Sequence, residues 1–379
     1  MEKTTRTKRI QKYCILLFSV LVISFPFLAW QMQQPKFIHA VIVDKTVPNQ
    51  TYREHKGLMW ELNNLKYFNR ETKGAFQYDQ DYYGFFPLPD NNYNIKDLPN
   101  TAKDVDLTYL ADTYGVYTED FYQNNMSGNR SDLIYGGTDL EDIQFIKHVM
   151  SKTNMLIGEF NILESPTGEE ARNELEAMFQ VKWSGWSGRY FIDLSSKNSE
   201  IPLWLIEDYK KQYKTEWNFS GPGFAFVKND NTVIVLRQGT EVGNDLIRVV
   251  FTPEALTEFN VKNNIRYYYW FDIVENTGDS ELLANYSLDL TVKGTKVFEQ
   301  FDLRGTFPAI VCSRSPYTSY YFAGDYSDNI MIPSWNSSYL PFAKKWLTID
   351  VEGDPAAFYW KVYYPLIQDI LRKVPSNRC

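Results

Sequence analysis

From Cys14 to Trp30 the chain reads CILLFSVLVISFPFLAW, an apolar run without a charge. Ahead of it stand Lys3, Arg6, Lys8, Arg9 and Lys12 against the single acid Glu2. A helix over this run rises about 25 Å, a little less than a hydrocarbon core of about 30 Å. Tyr13 and Trp30 sit at its ends, where amphipathic rings favour the membrane interface. The basic flank predicts a cytoplasmic tail over 1–13, a single-pass anchor over 14–31 and an extracytoplasmic domain beyond. A cleaved signal peptide is the alternative, but QMQQPKFIHA after Trp30 offers no A-x-A site, so a retained anchor is expected.

Beyond the anchor the pattern alternates between two periods. Phe37–Val43, Val105–Ala111 and Met155–Phe160 are continuous apolar runs, the mark of strands buried on both faces. Between them, 51–67 carries Leu58, Leu62 and Leu65 at helical spacing. Thr138 with Glu141 three residues on reads as a capping box opening a helix to about Ser151. Ser165-Pro166 opens another helix, ending near Phe179. Such alternation predicts an α/β fold with a mostly parallel sheet flanked by helices over 32–215. Residues 216–379 read differently. Short β-branched or alternating runs at 223–227, 232–236, 246–251, 266–273, 286–292, 308–312 and 319–323 predict a more antiparallel half completing the same domain. Helices are expected over 202–213 and 356–373, the latter interrupted at Pro365.

Composition narrows the class. The chain has 39 Lys and Arg against 47 Asp and Glu; the first 30 residues hold five and one, leaving 34 against 46 and a net charge of −12. An acidic body does not suit nucleic acid or anionic lipid. Three cysteines, Cys14, Cys312 and Cys379, give no disulfide framework; Cys312 is expected as a free core thiol, with a Cys312–Cys379 pair as the alternative. The six Asn-x-Ser/Thr sequons are matches that arise by chance in an Asn-rich chain and do not establish a eukaryotic secretory protein.

In parallel sheets, ligands gather at the carboxyl ends of strands. Asp44, Asp112, Glu159, Asp272 and Asp325 stand at such ends. Aromatic and glycine residues surround Asp112 and Glu159, which makes this pair the candidate catalytic carboxylates. Aromatics are 16% of the chain, many beside Gly, Asn or Asp. The segment Trp183-Ser-Gly-Trp186-Ser-Gly-Arg189-Tyr190 reads as a binding loop: flat rings suit sugar faces and Arg189 suits an anionic group. Tyr114, Trp183, Trp186, Arg189 and Asp325 are accordingly the candidate ligand contacts. Tyr82–Phe86 reads as an aromatic loop of the same kind. Three scattered histidines and no glycine-rich phosphate motif lead to the expectation of no metal and no cofactor.

The stretch DLTYLADTYGVY, then LIYGGTDLEDIQFIKHVM, then MLIGEFNILESPTGEEARNELEAMF resembles the class I glutamine amidotransferase-like fold in order of elements. FPAIVCSRSPYTSYYFAGD resembles the closing strands of those proteins. The likeness implies a fold, with a Cys nucleophile on a sharp strand-to-helix turn in active members. Here Gly115 and Gly136-Gly137 occupy the candidate turns and carry no Cys, and His39, His55 and His148 lie elsewhere. Amidotransferase activity is therefore not expected. The leading expectation is a membrane-anchored envelope protein that binds a surface polysaccharide. The alternatives are a carbohydrate-active hydrolase using paired strand-end carboxylates and a structural subunit of a membrane complex.

Overall fold

The computed structural model describes residues 2–99, 102–150, 154–328, 332–333 and 339–374. It contains an N-terminal helix, Glu2–Gln31, and a mixed α/β body. The apolar part of that helix, Gln11–Gln31, is long and apolar enough to cross a membrane, and only 6% of its most apolar window is buried against the body. Trp30 is the buried exception. Its Nε1 donates to the Asn64 carbonyl at 2.7 Å, and Lys66 Nζ lies 3.6 Å above its ring.

The body is organised on a ten-stranded mixed sheet. Its strands run in the order Ile265–Arg266, Val242–Phe251, Glu281–Leu290, Thr306–Ser313, Thr318–Phe322, Met155–Gly158, Leu107–Asp112, Ala40–Asp44, Tyr83–Leu88 and Asn92–Lys96. The five from Thr318–Phe322 to Tyr83–Leu88 are parallel to one another, and the pairings outside them are antiparallel. All six residues of Leu107–Asp112 are buried, as their unbroken apolar run predicts for a central strand. The sheet draws strands from both sides of residue 215, so the two halves read from the sequence share one sheet.

A second, antiparallel sheet is ordered Val233–Arg237, Gly223–Lys228, Val181–Phe191, Phe271–Asn276. Helix Leu203–Tyr213 covers it through Leu205 and Ile206, which pack on Phe191, Ala225 and Val233. A bridge between Phe271 and Gly324 ties this sheet to the first at the carboxyl end of the parallel strands.

Several expectations are corrected. The Trp183–Tyr190 segment is not a loop but part of the strand Val181–Phe191. Ser184 and Gly185 lie where an irregularity in pairing, between Trp183 and Trp186, bends the strand. Tyr82–Phe86 is likewise mostly strand, Tyr83–Leu88, in a hairpin with Asn92–Lys96. The 138–149 helix is capped by Asp139 and Asp142 rather than Thr138 and Glu141. The expected 266–273 strand divides into Ile265–Arg266 and Phe271–Asn276, one in each sheet. The C-terminal helix is interrupted by a π-helical turn, Tyr359–Tyr363, just ahead of Pro365. Cys312 is a buried free thiol, its acidity weakened by burial to a pKa of about 11. Its alternative partner Cys379 lies outside the described residues.

Candidate functional site

The parallel strands deliver Asp44, Asp112 and Glu159 to one end of the sheet, and the turn after Thr318–Phe322 adds Asp325. Asp44 is fully buried, and its Oδ2 lies 2.5 Å from His55 Nδ1. Asp112 Oδ1 accepts from Thr46 Oγ1 and from the Tyr114 N–H, each at 2.6 Å; its Oδ2 accepts from Asn161 Nδ2 at 3.0 Å. Asn161 holds a left-handed φ of 69°, which Asn tolerates better than most residues. Gly115, at φ 101°, lets the turn after Asp112 press on Tyr135, whose carbonyl a Cβ would meet at 2.4 Å. Burial raises the Asp112 carboxyl to about 7, against the pull of the Thr46 and Asn161 hydrogen bonds.

Glu159 is enclosed. Tyr109 donates to its Oε1, and the Tyr326 and Ser327 N–H groups donate to Oε2 at 3.1 Å. Burial raises it to about 8, and these hydrogen bonds restrain the shift. Wholly buried and surrounded by donors, Glu159 braces the sheet end and presents no oxygen to solvent.

Two acidic groups flank Asp112. In one, Ser187 Oγ lies 3.0 Å from Asp272 Oδ1 and 3.4 Å from Glu164 Oε2, while Tyr321 donates to Asp272 Oδ2 at 2.6 Å. Asp272 is fully buried and Glu164 partly exposed. Burial, then the charge of Asp272, raises Glu164 to about 8; burial raises Asp272 to about 6, restrained by Tyr321 and Ser187. In the other, Glu54, Asp325 and Asp328 each place a carboxylate oxygen within 4.8 Å of the other two. Arg53 Nε meets Glu54 Oε1 at 2.6 Å, and its Nη1 is 3.6 Å from Asp328 Oδ2. Burial raises all three carboxyls above the usual range, each restrained by Arg53.

Of the residues singled out in the sequence, Asp112, Glu159 and Asp325 come together at this end. Tyr114 stands beside them, 37% exposed, its ring centroid 5.0 Å from that of Tyr117. Arg189 is near enough to act electrostatically on Asp328, and pairs with Glu200 at 2.7 Å. Trp183 and Trp186 do not join them. The two residues are 6% and 2% exposed, Trp186 packs on Phe301, and Trp183 Nε1 donates to the Trp186 carbonyl. They fill the core and leave no face for a sugar. Sequence reasoning passed over Arg53, Glu54, Glu164, Ser187 and Asp328. Position supplies a signal for three of them: Arg53 and Glu54 open the helix that follows the first parallel strand, and Glu164 lies in the loop that follows the fourth, Met155–Gly158. No protein-family model, curated protein or solved structure matches this chain.

Proposed function

We propose that this is a membrane-anchored, extracytoplasmic carbohydrate-active hydrolase, with Glu164 as its general acid. The observation that carries the reading is the chain Glu164–Ser187–Asp272. One hydroxyl proton cannot serve two carboxylates. The chain is satisfied when Glu164 keeps a proton and donates to Ser187 Oγ, which donates to Asp272. A carboxylic acid that remains protonated near pH 7 and is partly exposed is what departure of a sugar hydroxyl requires. Asp112 is the second carboxylate of this reading, oriented by Thr46 and Asn161 and close enough to raise Glu164. The exposed Tyr114 offers a ring face, and an acidic sugar would take Arg189 from its half-exposed partner Glu200.

The parallel strand order from Thr318–Phe322 to Tyr83–Leu88 supports a glutamine amidotransferase-like fold put to this different chemistry. The basic tail and apolar helix support an anchor with the domain outside the cytoplasm, facing envelope polysaccharide.

The test uses the full chain in detergent with a panel of envelope polysaccharides, reading binding and released products by mass spectrometry. Products from the wild type that fall at least a hundredfold in Glu164→Gln and in Asp112→Asn are expected. Binding without products would replace this reading with that of a polysaccharide-binding domain. Neither binding nor products would leave a structural subunit of a membrane complex.

A further inference from the structure

We propose that Glu54, Asp325 and Asp328 form a site for a hard divalent cation, Ca²⁺ or Mg²⁺, that joins the start of helix Arg53–Asn64 to the turn after Thr318–Phe322. The donors are the right kind and number: three carboxylates, the ligands such ions prefer, with room for water or carbonyl oxygen to complete the shell. Their spacing is compatible. Three oxygens within 4.8 Å of one another can surround one ion at the 2.3–2.6 Å typical of calcium.

A second observation separates this cluster from a solvated acidic patch. Glu54 and Asp328 are 2% and 3% exposed, yet among the described residues Glu54 Oε2 and Asp328 Oδ1 have no hydrogen-bond partner. Buried carboxylate oxygens left without a partner are costly and rare in a folded chain. Their remaining oxygens face Arg53, a half-exposed side chain at the edge of the cluster. With all three ionised, Arg53 would balance only one negative charge, and Arg189 pairs with Glu200. A divalent ion supplies the missing partner and the missing charge together.

The two segments already touch. The Ser327 hydroxyl donates to the Glu54 carbonyl, and Gly57 packs so close to Ser327 that an added Cβ would lie 2.1 Å from its carbonyl oxygen. The donors are therefore held in place before an ion arrives. Nothing in this inference depends on Glu164 or on the hydrolase reading.

The experiment takes chelator-stripped full-length protein in detergent and titrates CaCl₂ and MgCl₂ separately, following Tm, with Tb³⁺ luminescence as a second readout. Saturable binding is expected, with Tm raised by about 4 °C or more at a hundredfold excess over the dissociation constant. Asp328→Asn and Glu54→Gln should each weaken binding at least tenfold, while Asp279→Asn, at an exposed turn, should not. No saturable response to either ion in the wild type would overturn the proposal. So would binding that persists unchanged in both cluster variants. The wild-type titration decides whether an ion binds even if one variant fails to fold, and the other variant then decides where.

Discussion

The Tyr321 hydroxyl donates to Asp272 Oδ2 at 2.6 Å, joining two fully buried side chains from different sheets. That bond restrains the rise that burial imposes on Asp272. In Tyr321→Phe the carboxyl should rise above about 6 and be more often neutral at pH 7. Its charge is one cause of the high value at Glu164, so Glu164 should fall below about 8. If Glu164 must be protonated for turnover, the basic limb of the pH–rate profile moves to lower pH. A loss of rate equal at every pH, with the limb unmoved, would show that Tyr321 acts on packing alone. The stability cost should be about 1–3 kcal/mol, because an acceptor is left buried with one donor fewer.

Three of the five parallel strands, at 40–44, 107–112 and 155–158, were the most legible part of the chain, because a strand buried on both faces must be apolar throughout, as Leu107–Asp112 is. The positions of Asp44, Asp112, Glu159 and Asp325 at one sheet end followed from the same pattern. The segment read as a binding loop was hidden by long-range pairing. Trp183-Ser-Gly-Trp186-Ser-Gly has loop composition, yet both neighbours of this strand lie far along the chain, at Gly223–Lys228 and Phe271–Asn276. Pairing at that distance overrides local preference, and no window of sequence contains it. Glu164 with Asp272, and Glu54 with Asp328, were hidden for the same reason: each pair meets only once the sheets have formed.

Trp186→Ala should therefore behave as a core deletion. Removing the ring of a residue that is 2% exposed and packed on Phe301 should cost about 3–5 kcal/mol, seen as a lower denaturant midpoint. Tyr114→Ala, at 37% exposure, should cost about 1 kcal/mol or less and weaken polysaccharide binding. The opposite pattern would return Trp186 to the ligand.

Glu241 gives a pH dependence with a definite sign. Burial disfavours its charge, but hydrogen bonds from Arg237 and Lys293 overcome this and hold the carboxyl at about 2. The unfolded chain should titrate near 4.3. The folded value is the lower one, so the stabilisation is fully present above about pH 4.3 and is lost as pH falls toward 2. Glu241→Gln should cost about 1–2 kcal/mol at pH 7, the figure being reduced because Arg237 and Lys293 are about half exposed. Urea midpoints of the two proteins should converge as the buffer is taken from pH 5 toward pH 2. A gap constant over that range would remove the ion pairs as its source.

Gly57→Ala tests how closely the helix and the turn that carry Glu54 and Asp328 approach. Alanine at a helix interior ordinarily gains about 1 kcal/mol over glycine. Here its Cβ would lie 2.1 Å from the Ser327 carbonyl oxygen and 3.1 Å from the Tyr359 ring. The clash should win, with a net loss of about 1–3 kcal/mol and a lower Tm. A Tm that rises would mean that helix and turn do not touch, and would also take away the preformed donor set of the cation site.

Trp30 links the apolar N-terminal helix to the body, and it separates the two readings of the N-terminus. The apolar residues before it are exposed, as a lipid-facing helix requires, whereas Trp30 is 7% exposed. Its ring is held between the Asn64 carbonyl and the Lys66 ammonium group. A retained anchor keeps these contacts; signal cleavage after Trp30 would leave the Lys66 side chain without its ring. Intact-mass measurement on protein extracted from membranes should therefore find the N-terminal segment present. In that protein Trp30→Ala should lower stability by about 1–3 kcal/mol, through lost ring packing and the lost hydrogen bond from the indole N–H. A mass lacking the first 30 residues would retire the anchor and leave a released domain, in which the Trp30 contacts have no part.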